Sequence, residues 1–173
     1  MIKNFLTIIF FVTCCLGAYA QEEQPEEETV DPYEFRAAFS VGGTVGGDYA
    51  NEVFSTNAAF DVTYLYNLTK DLKVGGTLGA MYAFQNNSSN TLIKEGDGKF
   101  VSFAGTFRFH TDNDKFHIGG DAGYAYGLDE GGFLYRLRLG MQVSKCSGIV
   151  ASYTEVMDTY SYSAVNIGYE FTF

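Results

Sequence analysis

Apolar and polar residues alternate with a period of two along most of this chain, the pattern of strands with one apolar and one polar face. The last nine residues, "VNIGYEFTF", show it plainly: Val165, Ile167, Tyr169, Phe171 and Phe173 alternate with Asn166, Gly168, Glu170 and Thr172. Seven earlier segments repeat it. Their apolar faces carry Phe35 to Val41, Phe60 to Leu68, Leu72 to Phe84, Val101 to Phe109, Phe116 to Leu128 and Phe133 to Val143, and the seventh segment, "GIVASYTEVM", is the least regular. Helical periodicity is missing. The pattern predicts an all-β protein of eight strands.

The connections alternate in length. Thr69–Asp71, Thr111–Asp114 and Ser144–Ser147 read as tight polar turns after strands two, four and six. The longer stretches, residues 43–56 and 85–98, follow strands one and three. In an up-and-down meander both long loops fall at one end, the asymmetry of an outer-membrane barrel.

Volume then decides which face is the outside. The apolar faces carry 18 Phe or Tyr residues. An eight-stranded barrel has an interior only wide enough for ordinary side chains, so the aromatics belong outside, against lipid. They also cluster toward the two strand ends, as aromatic girdles at two bilayer interfaces do. A sheet in hydrocarbon must close, because unpaired edge groups find no water there. Strand eight is therefore predicted to pair with strand one, in an eight-stranded antiparallel up-and-down transmembrane β-barrel.

The N-terminus adds an address. "MIKNFLTIIFFVTCCLGAYA" has an early Lys3, an apolar run and a small-residue end at Ala20, the layout of a cleaved secretory signal peptide. Its apolar run is shorter than the ~20 residues a membrane-spanning helix needs. The expected organisation is a signal peptide over 1–20, an acidic disordered leader over 21–32 and the barrel over 33–173. Removing residues 1–20 leaves 153 of the 173, with Cys146 as the remaining cysteine, so no internal disulfide is available. The leader "QEEQPEEETVDP" holds Glu22, Glu23, Glu26, Glu27, Glu28 and Asp31, which makes it a solvated spacer. With a formal net charge of −10 and no basic stripe, nucleic acid is excluded as a partner.

The polar face supplies a lumen. Parity points Glu34, Arg36, Asp61, Lys73, Arg108, Asp121, Arg136, Arg138 and Glu170 inward, together with His110 and His117. Continuing strand seven from its turn, with Val143 opposite Gly148, adds Glu155 to the lumen opposite Arg136. The same reasoning places Arg108 opposite His117. Five acids then face five bases. Charges in a narrow interior need partners, and a conducting pore more often carries an excess of one sign in a wider barrel. The lumen is expected to be an ion-paired plug.

With its signal peptide, eight amphipathic strands and terminal "YEFTF", the chain resembles the small outer-membrane β-barrels of Gram-negative bacteria, of the OmpA transmembrane domain and OmpX type. In that family an aromatic-rich last strand ending in Phe is read by the barrel assembly machinery, a role the resemblance implies for Tyr169, Phe171 and Phe173. It also implies Sec-type export to the outer membrane, contact with its lipid and lipopolysaccharide, and a monomer. Some such barrels modify lipid A with a Ser nucleophile, a His base and a carboxylate. The histidines after the signal peptide are His110 and His117, and four residues of strand put His117 ~13 Å from Asp121. No catalysis, cofactor or metal is expected. "TDND" lacks the ligand count of a Ca²⁺ loop, and no Cys/His cluster has zinc spacing. The expected role is a structural or interaction barrel, with loops 43–56 and 85–98 open to a protein partner. The alternatives are a narrow porin-like channel, an accessory subunit of a transporter and, third, a lipid A-modifying enzyme.

Overall fold

The computed structural model describes residues 32–46, 54–85, 98–111, 115–127, 131–157 and 161–173. The expected signal peptide and all but the last residue of the acidic leader lie outside them. Eight strands form one closed barrel in chain order: β1 (Tyr33–Gly46), β2 (Phe54–Asn67), β3 (Leu72–Gln85), β4 (Gly98–His110), β5 (Phe116–Gly127), β6 (Gly132–Ser144), β7 (Ser147–Met157) and β8 (Tyr162–Thr172). Every neighbouring pair is antiparallel, and β8 closes on β1. The seam runs to the last residue: the Phe173 amide donates to the Phe35 carbonyl at 2.8 Å, and the Phe35 amide donates to the Phe173 carbonyl at 3.4 Å. The terminal aromatic strand is thus a closing stave of the wall.

β1 and β2 run further than alternation indicates. The glycine-rich stretch from Gly42 to Gly46 joins the ladder, pairing with β8 through a bulge between Thr44 and Gly46. A strand needs backbone pairing, and glycine supplies that without a side-chain signal. Residues 68–71, 111–115 and 145–146 connect strands at one end, which is called the turn end below. The strand ends that flank residues 47–53, 86–97, 128–131 and 158–161 form the other, the loop end.

The wall is apolar outward and polar inward, the reverse of a water-soluble barrel. Of the 18 aromatics assigned to the lipid side, sixteen are exposed and Tyr82 and Tyr135 are half-buried. At the turn end Tyr33 packs on Tyr64 and Tyr66 with ring centroids 5.7 and 5.5 Å apart, and Phe35 lies 6.0 Å from Phe173. At the loop end Tyr82 and Phe84 are 4.9 Å apart. Leu78, Val101, Phe103, Ile118, Leu137, Leu139 and Ile167 form the exposed belt between them. The two aromatic rings and the apolar belt are the surface that a bilayer covers.

Two register expectations are corrected. Ser144 does face Ser147 across the turn, as continuation from the turn requires. A bulge between Gln142 and Ser144 then absorbs Val143, so that Gln142, not Val143, faces Gly148. The extra residue shifts the ladder by one, and a shift of one turns every following side chain to the opposite face. Glu155 consequently leaves the lumen. It pairs with Tyr135 instead of Arg136, and Arg136 faces Thr154. At the β4–β5 hairpin the connection is two residues longer than expected. Thr111 donates its amide to the Phe116 carbonyl at 3.0 Å, His110 faces His117, and Arg108 faces Gly119. That shift is of two residues, so both side chains stay in the lumen and only their neighbours change.

Candidate functional site

The lumen is filled at three successive levels. Nearest the loop end is an apolar cluster in which Phe54, Met81, Phe100, Leu134, Val156 and Tyr162 are packed over alanines. Tyr162 reaches from β8 to the opposite wall, with its ring 6.2 Å from Phe54 and 5.1 Å from Phe100. None of these residues belongs to the expected ionic lumen. A signal for them does exist: in "FLY" around Leu134 and "KFVSF" around Phe100 the apolar residues stop alternating, which means both faces of the strand are apolar there.

The middle level is a network of two aspartates and three arginines. Arg136 donates to Asp61 Oδ1 at 2.7 Å and, through Nε, to Thr154 Oγ1 at 2.8 Å. Arg138 Nη2 lies 3.2 Å from Asp61 Oδ2, and its Nε donates to Asp121 Oδ2 at 2.8 Å. Arg108 donates through Nη1 to Asp121 Oδ1 at 2.9 Å, and Thr106 donates to the same oxygen at 2.5 Å. All six of these residues other than Thr154 come from strands β2, β4, β5 and β6, so the network ties opposite walls together. Charge-assisted bonds of this kind are the shorter and stronger class. They offset the cost of removing the ions from water.

The third level sits at the turn end. Arg36 donates to Glu170 at 2.7 Å and is bonded to Glu34, and Lys73 donates to the other oxygen of Glu34 at 2.6 Å. The rings of His110 and His117 stack with centroids 5.2 Å apart, and His110 Nε2 lies 3.4 Å from Arg36 Nη2. His117 Nε2 is 3.8 Å from Glu170. Glycines make this packing feasible. A Cβ on Gly119 would lie 2.4 Å from the Phe107 carbonyl and 2.5 Å from Arg108 Cδ, and one on Gly140 would fall 2.0 Å from the His117 ring.

The structure therefore brings Glu34, Arg36, Asp61, Lys73, Arg108, His117, Asp121, Arg136, Arg138 and Glu170 together inside the wall. Glu155 stands outside, where the Tyr153 hydroxyl donates to it at 2.7 Å and the Tyr135 hydroxyl is also bonded to it. With Glu155 removed, the lumen has four carboxylates against five bases among the described residues. Tyr169, Phe171 and Phe173 lie on the outer face of β8, with Tyr169 also donating to Ser147 at 2.6 Å. Among the described residues no three His, Cys, Asp or Glu side chains converge as a metal site would require.

No protein-family model matches the chain, and no curated protein sequence does either. Solved structures do match. Ail, the attachment invasion locus protein of Yersinia pestis, superposes with a TM-score of 0.58 at 16% identity, over 83% of this chain and 100% of that one. Neisserial surface protein A gives 0.52 at 10% identity over 83% and 100%. A de novo designed transmembrane β-barrel gives 0.55 at 15% identity over 83% and 98%. A de novo designed sequence matches about as well as the natural ones, so the likeness is one of architecture. The chain has the fold of the small eight-stranded outer-membrane barrels.

Proposed function

We propose that the protein is an integral outer-membrane scaffold that works through its outer wall and its loop end, with no passage or chemistry inside. The observation that carries this reading is the filled lumen. An apolar cluster, a five-membered ionic network and a charged and histidine-lined turn end follow one another along the axis. A conducting pore needs a water-filled path whose lining an ion can enter and leave. Side chains that neutralise one another across the axis leave that path occupied. What remains for interaction is the pair of longer loop-end connections, 47–53 and 86–97, offered to a protein partner, and the lipid-facing belt.

Planar bilayers test the reading. Purified folded protein is expected to give no stepwise conductance, whereas discrete steps would favour a narrow channel. Catalysis is tested separately by the mass of lipid A extracted from cells with and without the protein. The scaffold reading expects identical spectra, and a gain or loss of an acyl chain would overturn it.

A further inference from the structure

The outer wall carries few charges. Among the described residues, only two charged side chains on the strands point outward, Glu155 on β7 and Lys99 on β4. Glu155 is bonded to two tyrosines. Lys99 is exposed one residue from the loop end of its strand, and among the described residues it has no carboxylate partner. Its ammonium is instead held 5.9 Å from the centroid of the Tyr82 ring, a cation–π contact that fixes it along the wall.

Directly beneath it the wall is indented. Ala58 and Ala80 form the floor of a groove of about 330 Å³, with Phe39, Phe60 and Tyr82 as its sides and Lys99 at its rim. The indentation follows from the ladder: Phe39 faces Phe60, Phe60 faces Ala80, Ala58 faces Tyr82 and Tyr82 faces Lys99, so small residues sit diagonally between large rings. An apolar groove has no special attraction for a hydrocarbon tail in a bilayer, since its surroundings are equally apolar. Selectivity has to come from shape combined with the cation, and a cation near a membrane surface attracts anionic head groups.

We propose that this groove seats one acyl chain of an anionic phospholipid, with its head-group phosphate, uncompensated by a cation of its own, on Lys99. The position of Lys99 at the loop-end aromatic girdle places the phosphate at head-group depth, and the groove runs from there toward the middle of the wall, as a lipid tail does. The proposal rests on the membrane reading above and adds to it a specific place and charge preference.

The test is native mass spectrometry of the full folded chain in dodecyl maltoside with equal amounts of dimyristoyl phosphatidylglycerol and dimyristoyl phosphatidylcholine. Wild type is expected to retain the anionic lipid in preference. Lys99→Gln should lower that retention about fivefold, to the level of the zwitterionic lipid. Ala80→Leu, which fills the floor, should lower retention of both lipids. Ala151→Leu, on the exposed face of β7, serves as the control and should change neither. Retention unaffected by Lys99→Gln and Ala80→Leu, or lowered equally by Ala151→Leu, overturns the seat. Each protein is also run unboiled on a denaturing gel. A wild type without a compact band would overturn the membrane reading and the seat with it, whereas a compact band with unselective lipid retention overturns the seat alone.

Discussion

Three arginines and a threonine converge on the carboxylate of Asp121, which comes from β5 and reaches partners on β4 and β6. Arg108 is fully buried and Arg138 nearly so. Removing the charge at Asp121 would take from Arg108 its carboxylate partner and leave Arg138 with Asp61 alone, and the loss of one partner from a buried ionic cluster costs about 3–5 kcal/mol. Asp121→Asn is therefore expected to lower the unfolding free energy of the folded barrel in lipid vesicles, read from urea titration, by an amount of that order. A paired substitution isolates the packing part. Gly119→Ala places its new methyl 2.4 Å from a backbone oxygen, whereas on Gly76 the nearest atom would be the Ala104 carbonyl at 3.7 Å. Overpacking costs about 1–3 kcal/mol, so Gly119→Ala should destabilise by that much and Gly76→Ala by a small fraction of it. Equal midpoints for the two would show that the lumen has slack at Gly119.

At the scale of the strand, one residue of register decides which solvent a side chain meets. Alternation made the face of nearly every charged residue legible, because the pleat repeats every two residues regardless of neighbours. A bulge has no such signature. Val143 looks like any other apolar position of β6, and its absorption sends Glu155 from the lumen to the tyrosines of the outer wall. The β4–β5 hairpin misplaced by two residues left His117 and Arg108 on their expected face, which shows why even shifts are forgiving and odd ones are not. The apolar level of the lumen was legible only as interruptions of the pattern, at Leu134 and Phe100. Cysteine labelling tests the register. With the exposed Cys146 replaced by Ser, Glu155→Cys in the vesicle-embedded barrel should react with a lipid-soluble maleimide, and Thr154→Cys should be protected. The opposite result would restore the unbulged register and bring Glu155 back inside.

For the whole molecule, the amphipathic wall and its closure were legible because hydrocarbon admits few solutions: an apolar outer face and no free edge. The role of the loop end was not legible, because connections of this kind follow no such rule. Closure itself is testable. Unboiled wild type is expected to migrate as a compact band that shifts on boiling, and a variant lacking Phe171 to Phe173 is expected to lose it. That variant forfeits the reciprocal bonds between Phe173 and Phe35 and the last pairings of Phe171 and Thr172 with Ala37 and Arg36. A compact truncated band would mean that the remaining ladder suffices to hold the seam.

The seam between β1 and β8 has a consequence for how the barrel comes to exist. Arg36 and Glu170, bonded across it, are 134 positions apart, whereas each of the other seven pairings joins strands consecutive in the chain. Neighbouring hairpins close short loops at low entropic cost, and the seam closes the longest loop available. The sheet is therefore expected to grow as a curved ribbon with two open margins that meet last. Until they meet, each margin exposes a row of unsatisfied donors and acceptors to whatever strand is nearest, whether the chain's own, a second copy's or that of a helper protein. The nascent barrel is most adhesive one step before completion, and completion removes that adhesiveness altogether.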